Sequence, residues 1–406
     1  MRHLFFRILL VSASLLLLPL SNLITTPIIS RLLGPQGKGE LVLILQPMTI
    51  VDSIAIVGIS SYLISQSRLN DKMSKIQSDL VSPQIFGNCL GLLLLTIWYQ
   101  VSISSKVGNS QLVVLCYMLL PFGSWIAIYK TRLIINGSLR PVMFETLTNV
   151  ALRILILLVY NFLEVEDPAL IGLSFVLIGI LSGIFCIRPP SIRNQILEFK
   201  NRKLKQFAPP SPSLWLYDIL SIASVRLDLI LLSIVYSTSQ VGLYSVALVV
   251  AEIPLFVSNS VSRELINIKR KIRERGRYFI ITAELIFLSV CVLVYGSSMF
   301  IPLVFGEQFK EAVFMSQLLL IGTYFQMHSQ LISTYMLING LASKRYPLYL
   351  CPLFAMIIGI FLISFFNLKM YIFIGVMISG WILSFFYGSL TICFSRKSNW
   401  GMNENV

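Results

Sequence analysis

Long apolar segments separated by short polar turns fill almost the whole chain. Twelve of them are long enough to cross a bilayer core about 30 Å thick, which takes ~20 residues of helix. They lack the alternation of apolar and polar residues that barrel strands show, and helices then remain the only way to satisfy a backbone inside lipid. The pattern predicts an all-α polytopic membrane protein. The predicted spans are 8–30, 41–66, 85–105, 110–129, 142–161, 169–187, 213–236, 241–262, 278–303, 313–338, 347–366 and 371–394.

The polar segment between spans 6 and 7 is the longest inside the chain and is rich in proline. Six spans lie on each side of it, so the two halves share one orientation and a repeat between them would be parallel. Gly34 to Leu45 resembles Ser237 to Leu248, with Gly39 matching Gly242. The predicted organisation is an N-terminal six-helix half at 1–188, a cytoplasmic linker at 189–212, a C-terminal six-helix half at 213–394 and a cytoplasmic tail at 395–406, with a cavity between the halves.

The formal net charge is +14, and its placement sets the topology. Of the 32 Lys and Arg residues, 25 fall on one side of the twelve spans, five on the other and two within spans. Short cytoplasmic loops carry the excess of basic residues, so both termini are predicted in the cytoplasm. Membrane topology then accounts for the charge, and no nucleic-acid partner is expected. The apolar run after Arg7 continues through Ile29 without a small-residue cleavage site, which favours a first helix over a signal peptide.

Cysteine and histidine give no sign of a metal site or a disulfide. All six cysteines lie in apolar spans without CxxC spacing, where they behave as small hydrophobic residues. With two histidines in the chain, no metal and no cofactor are expected. No loop is long enough to fold as a separate catalytic module, so a transporter is predicted rather than an enzyme.

Ionisable residues inside the spans are the best local indication of function, because a charge at the bilayer centre costs at least ~2.5 kcal/mol. In span 5, Glu145, Asn149 and Arg153 recur four residues apart and form one stripe. Spans 2, 7 and 8 carry the other polar candidates for a cavity or for ion coupling, which are Asp52, Asp218, Asp228, Glu252 and Asn259, with Arg226 beside the span 7 acids.

Each of these charges also has a structural interpretation. Arg226 could pair with an acid on a neighbouring helix only to anchor packing. Glu145 lies near the cytoplasmic edge and could simply be solvated. Asp228 and Glu252 could carry a coupling proton, or they could neutralise Arg226.

Three segments resemble a known family. ISRLLGPQGKG (Ile29 to Gly39), VRLDLILLSIVYSTSQVGLYSVA (Val225 to Ala247) and VFGEQFKEA (Val304 to Ala312), the last followed by the NGLASKRY turn (Asn339 to Tyr346), are similar in order and spacing to the polysaccharide flippases of the multidrug/oligosaccharidyl-lipid/polysaccharide exporter superfamily. The O-antigen (Wzx-type) branch is the most similar.

The resemblance implies a substrate and a mechanism. The substrate would be an undecaprenyl-diphosphate-linked oligosaccharide, turned from the cytoplasmic to the periplasmic face of the inner membrane by alternating access. A diphosphate needs a cationic interior, so Arg226, Arg153, Arg7 and Arg31 are the candidate binding residues. Membrane lipids, a proton or sodium as coupling ion, a polysaccharide polymerase and a chain-length regulator are the implied partners.

Two other functions fit twelve spans. A multidrug or cation exporter of the same superfamily would favour an acidic cavity without buried arginines. A membrane-embedded polysaccharide polymerase or ligase would need a long outer loop with catalytic groups, and the longest outer loops have about ten residues.

Overall fold

The computed structural model describes residues 2–67, 81–135, 138–187, 211–255, 258, 272–338, 341–366 and 368–400. These residues form thirteen α-helices and no strands. By length and composition alone, seven of the described helices could cross a membrane, and a shorter apolar helix lies at Thr238–Ala251. The expected all-α polytopic fold is confirmed. The predicted linker at 189–212 lies almost entirely outside the described residues, as do the candidate Asn259 and the side chain of Arg7.

The chain divides by its contacts into two compact units, Met1–Gly242 and Leu243–Val406. The division into two six-helix halves stays a prediction. In the first unit, the helices are α1 (Arg2–Ala55), α2 (Ile59–Ser67), α3 (Val81–Trp98), α4 (Ser110–Met118), α5 (Leu120–Ile135), α6 (Leu139–Phe162), α7 (Pro168–Ile187), α8 (Pro212–Val235) and the first turns of α9 (Thr238–Ala251).

Two breaks shape the predicted spans 1 and 2. Both spans belong to α1, which is interrupted at Gly34, where φ is 64° and ψ is −176°. Only glycine adopts such a conformation without strain. Span 2 is then broken again between Ala55 and Ile59, at a turn where Val57 and Gly58 both have positive φ. The sequence pattern did not predict this second break.

Apolar packing holds the first unit together. Ile44, Val51 and Ala55 of α1 are buried against Leu95 of α3 and Leu173 of α7 in one cluster. A second cluster joins α1 to α6 and α7 through Ile29, Leu41, Leu157, Ile171 and Phe175. Helix α1 therefore contacts α3, α6 and α7 through its apolar residues.

The second unit contains α10 (Ile272–Phe305), α11 (Ala312–Ile338), α12 (Tyr346–Phe366) and α13 (Met370–Trp400). Glycines let its helices approach closely: a Cβ atom on Gly380 of α13 would lie 2.8 Å from Cα of Pro352 on α12. Large apolar side chains such as Tyr295, Met299 and Phe365 are exposed on the outside of the unit. Such a surface suits contact with lipid rather than water.

Candidate functional site

A cavity of about 410 Å³ lies inside the first unit, among α1, α5, α6 and α7. Most of its wall is apolar, and small residues of α5 and α7, Gly123, Ala127 and Gly179, line part of it. Its volume is at the lower end of the range of small-ligand pockets, ~300 to 1,000 Å³. Four charged residues complete the wall: Asp52, Lys130, Glu145 and Arg153.

Lys130 and Glu145 form a salt bridge in the cavity wall, between α5 and α6. The Glu145 side chain is 8% exposed and that of Lys130 is 31% exposed. The Thr146 hydroxyl also donates a hydrogen bond to Glu145 Oε2, at 3.3 Å. Glu145 is therefore a buried, paired carboxylate, and the interpretation that it is simply solvated at the membrane edge does not describe this structure.

Arg153 lies two turns further along α6. Unlike Lys130, it forms no salt bridge with an acid of the cavity wall. Its guanidinium carbon lies 4.9 Å from the centre of the Phe175 ring on α7, a cation–π contact. Its Nε atom is buried and has no hydrogen-bond partner. A buried donor without a hydrogen bond costs about 1 to 3 kcal/mol of free energy. A ligand that accepts a hydrogen bond from Nε would recover that cost on binding.

Asp52 faces the same cavity from α1. Its Oδ1 atom is buried and has no hydrogen-bond partner. The cavity therefore contains one donor and one acceptor, on opposite charges, that are not satisfied by the protein. Asn149, between Glu145 and Arg153 in the sequence stripe, instead binds α7 by donating to Ser182 Oγ at 3.2 Å.

The polar residues of α8 lie against α1 and α2. Asp218 accepts a hydrogen bond of 2.8 Å from the Ser61 hydroxyl on α2, and the Trp215 indole donates to the Ile54 carbonyl at 3.3 Å. Asp228 is 1% exposed and accepts a hydrogen bond from the backbone N–H of Leu229. Helix α8 is thus joined to the broken end of span 2.

The candidate residues do not gather at one place. Asp52, Glu145 and Arg153 line the cavity, whereas Asp218, Arg226 and Asp228 lie on α8 outside its wall. Arg31 is exposed, and Glu252 is in the turn after α9. The role of each as a binding or coupling residue stays a prediction.

Lys130 is a cavity residue that the sequence analysis missed. The predicted span 4 ends at residue 129, which places Lys130 in the cytoplasmic loop that follows. The apolar residues Leu133 to Ile135 beyond it are the signal that the helix continues, and α5 does extend to Ile135. An interrupted apolar run was therefore mistaken for the end of a span.

Comparison with solved structures shows what the fold resembles. The lipid II flippase MurJ in an inward closed conformation has a TM-score of 0.64 at 16% identity, with 97% of this chain and 87% of that chain covered. An outward-facing multidrug resistance MATE family transporter of the MOP superfamily has a TM-score of 0.59 at 14% identity, covering 98% and 97%. An inward-facing transporter of that family has a TM-score of 0.55 at 14% identity, covering 95% and 99%.

These neighbours are a flippase and transporters. They confirm the prediction of a transporter rather than an enzyme. No curated protein sequence matches the chain at a significant level. The sequence profile of a family described as polysaccharide biosynthesis proteins matches residues 28–314, well over half of the chain. The profile thus includes the whole cavity wall, and the resemblance found in the sequence is confirmed. This chain belongs to the polysaccharide biosynthesis protein family and has the fold of the multidrug/oligosaccharidyl-lipid/polysaccharide exporter superfamily.

Proposed function

We propose that this protein is a flippase for an undecaprenyl-diphosphate-linked oligosaccharide, the repeat unit of an O-antigen or another surface polysaccharide. It moves the head group from the cytoplasmic to the periplasmic face of the inner membrane by alternating access. The lipid tail stays in the bilayer while the polar head group crosses. Membership of the polysaccharide biosynthesis family supports the sugar, and the fold supports the transport.

One observation carries the proposal at the level of the site. The Arg153 guanidinium faces a cavity inside the helical bundle, and its buried Nε has no partner in the protein. Glu145 is bonded to Lys130, and no salt bridge joins Arg153 to an acid among the described residues, so the guanidinium can still bind an anion. A diphosphate accepts several hydrogen bonds from such a group, and charge-assisted bonds are the strong ones. A cavity of about 410 Å³ holds a part of the head group and not the whole lipid-linked chain.

The test is replacement of single arginines in the chromosomal gene. Arg153→Ala and Arg226→Ala should each abolish or strongly reduce surface glycan, because a lost charge-assisted bond costs about 1.5 to 3 kcal/mol, roughly tenfold to hundredfold in affinity. Arg153→Lys should retain part of the export. The matched control is Arg140→Ala, which removes an exposed arginine from the same helix.

Two measurements decide the result. Immunoblots give the amount of protein in the membrane, and gels give the surface glycan together with the lipid-linked repeat unit that accumulates on the cytoplasmic face. Normal glycan in Arg153→Ala would remove the proposed site. Loss of glycan without accumulation of the lipid-linked precursor would contradict a flippase.

Export of a cation or a drug is the second candidate function. It is favoured by Asp52, whose buried and unpartnered Oδ1 faces the same cavity, and by the MATE transporters that share the fold. In that case Asp52→Asn would abolish drug resistance or cation efflux and leave surface glycan normal. In the flippase, the same carboxyl is a candidate carrier of a coupling proton, as is Glu252.

A further inference from the structure

Two corners of the chain meet in the first unit, on the side that the basic residues assign to the outside. The first corner is Pro35 to Glu40, which follows the break at Gly34 in α1. The second is Tyr236 to Gly242, where α8 ends in an extended residue and α9 begins. These are the two segments whose sequences resemble each other.

The corners contact each other through two glycines. A Cβ atom built on Gly39 would lie 1.9 Å from the carbonyl oxygen of Thr238. A Cβ atom built on Gly242 would likewise lie 1.9 Å from the carbonyl oxygen of Pro35. No side chain fits at either place, so each glycine lets the backbone of the other corner approach directly.

The contact is reciprocal in the sense of a two-fold axis. Pro35 and Thr238 are separated by 203 positions, and so are Gly39 and Gly242. Each corner therefore presents the equivalent glycine to the equivalent carbonyl of the other, as in an isologous interface between two subunits. An internal repeat explains this geometry. Both corners are copies of one motif, so a symmetric contact between them requires the surface of that motif to be complementary to itself.

Lys38, next to Gly39, is buried at the same corner. Its side chain is 7% exposed and has no hydrogen bond or ion pair with any residue that the structure describes. Burial lowers the pKa of this ammonium to about 8. Keeping a lone cation largely out of water is unfavourable, so the corner contact contains a group that gains hydration when the contact opens.

We propose that the two corners form the seal that closes the outer end of the transport path, and that they part when the substrate leaves. Gly39 and Gly242 permit the closed state, and buried Lys38 limits its stability. The inference rests on the alternating access of the proposed function. It adds the residues that close one side, which the candidate cavity does not contain.

Accessibility to a thiol reagent tests the seal directly. In a variant with the six native cysteines replaced, Thr238→Cys is labelled from outside spheroplasts with a membrane-impermeant maleimide. Gln240→Cys, exposed on the same turn of α9, gives the rate for an open position. We expect slow labelling at 238 and fast labelling at 240. We expect the rate at 238 to rise when the supply of lipid-linked sugar is switched on.

Replacing Gly39 by a residue with a side chain should hold the seal open. Gly39→Leu and Gly39→Ala should each raise the labelling rate of Thr238→Cys, by about tenfold for an equilibrium shifted by about 1.4 kcal/mol. The matched control is Gly108→Leu, in a predicted outer loop where a Cβ atom would have nothing within 4 Å. That variant should leave the rate unchanged.

Several results would overturn the seal. These are labelling of Gln240→Cys from the cytoplasmic side alone, an equal and constant rate at 238 and 240, or an unchanged rate at 238 in membrane-inserted Gly39→Ala. Should both Gly39 variants be lost from the membrane, the response of Thr238→Cys to the sugar supply decides. The proposed flippase fails by a different result. Labelling at 238 that is slow and that Gly39→Ala raises would support the seal, while loss of glycan in Arg153→Ala without accumulation of the lipid-linked precursor would contradict the flippase.

Discussion

The interiors of the two units differ in the polar groups that they bury. Among the residues that the structure describes, the buried charged side chains are Lys38, Glu145 and Asp228, all of them in the first unit. The second unit buries hydroxyl, amide and imidazole groups, such as Gln326, His328 and Ser384. Charge burial is the costlier of the two and usually marks function in a membrane protein.

The two sets of polar groups also differ in what they bind. In the second unit, the Ser384 hydroxyl contacts both Ser329 Oγ and the Leu348 carbonyl, and thereby joins α13 to α11 and α12. In the first unit, Asp52 and Arg153 each keep a buried atom without a partner. Gln330 Oε1 and Glu252 Oε1 are buried atoms of the same kind in the second unit. In both units polar side chains join helices, as Ser384 does in the second and Asn149 in the first. Asp52 and Arg153 differ because each also keeps a buried atom that a ligand could bind.

The largest effect on stability is expected from breaking the pair in the first unit. Glu145→Ala leaves Lys130 partly buried without its acid and should lower the free energy of unfolding by about 2 to 3 kcal/mol. Thermal unfolding in detergent measures this. Adding Lys130→Ala should recover part of the loss, because the unpaired charge is then removed. If the double variant were less stable than Glu145→Ala by as much as Lys130→Ala alone is less stable than the unmodified protein, the two residues would not be coupled.

Packing in the second unit gives the next effect. Gly380→Ala places a Cβ atom 2.6 Å from Cβ of Ala355 and should destabilise α12 against α13 by about 1 to 3 kcal/mol. Gly375→Ala on the same helix has nothing within 4 Å of its new Cβ and should stabilise by up to about 1 kcal/mol, because alanine is the better helix former. Thermal unfolding of the two variants compares them. Equal changes would mean that α12 and α13 are not in close contact.

Lys38 predicts a pH dependence confined to the first unit. Its folded-state pKa of about 8 lies below the unfolded value of 10.5, so the unfolded chain binds more protons between these values. Stability should therefore rise with pH above 8, by about 1 kcal/mol between pH 8 and 9. Below pH 8 the full penalty remains. Lys38→Met should remove this rise in melting temperature, and an unchanged pH profile in that variant would assign the rise to another group.

The smallest effect is expected from a hydroxyl of the second unit. Ser384→Ala removes two neutral hydrogen bonds and should cost about 1 kcal/mol or less, leaving surface glycan unchanged. Asp52→Asn in the first unit should do the reverse, with little change in stability and a loss of export. If Ser384→Ala abolished glycan while its protein level stayed normal, the division of roles between the units would be wrong.

The apolar pattern determined the class of fold and most helix positions. The predicted spans 5, 6, 11 and 12 agree with α6, α7, α12 and α13 at their starts within a few residues. Hydrophobic length is a local property, and lipid leaves the backbone few alternatives to a helix. The break after Ala55 was not predicted, because positive φ at Val57 depends on the packing around it. A Cβ atom on Gly87 of α3 would lie 2.2 Å from Cγ2 of that valine.

The sequence also placed Glu145 and Arg153 on one face, since helical periodicity alone fixes that relation. Only the tertiary structure brought Lys130 to Glu145, left Arg153 without a salt bridge and placed them in one cavity wall with Asp52, because these residues lie on different helices. The similarity of the two glycine corners could be read along the chain. Their direct contact could not, because Gly39 and Thr238 are brought together by the packing of α8 against α1, over a separation that no local pattern encodes.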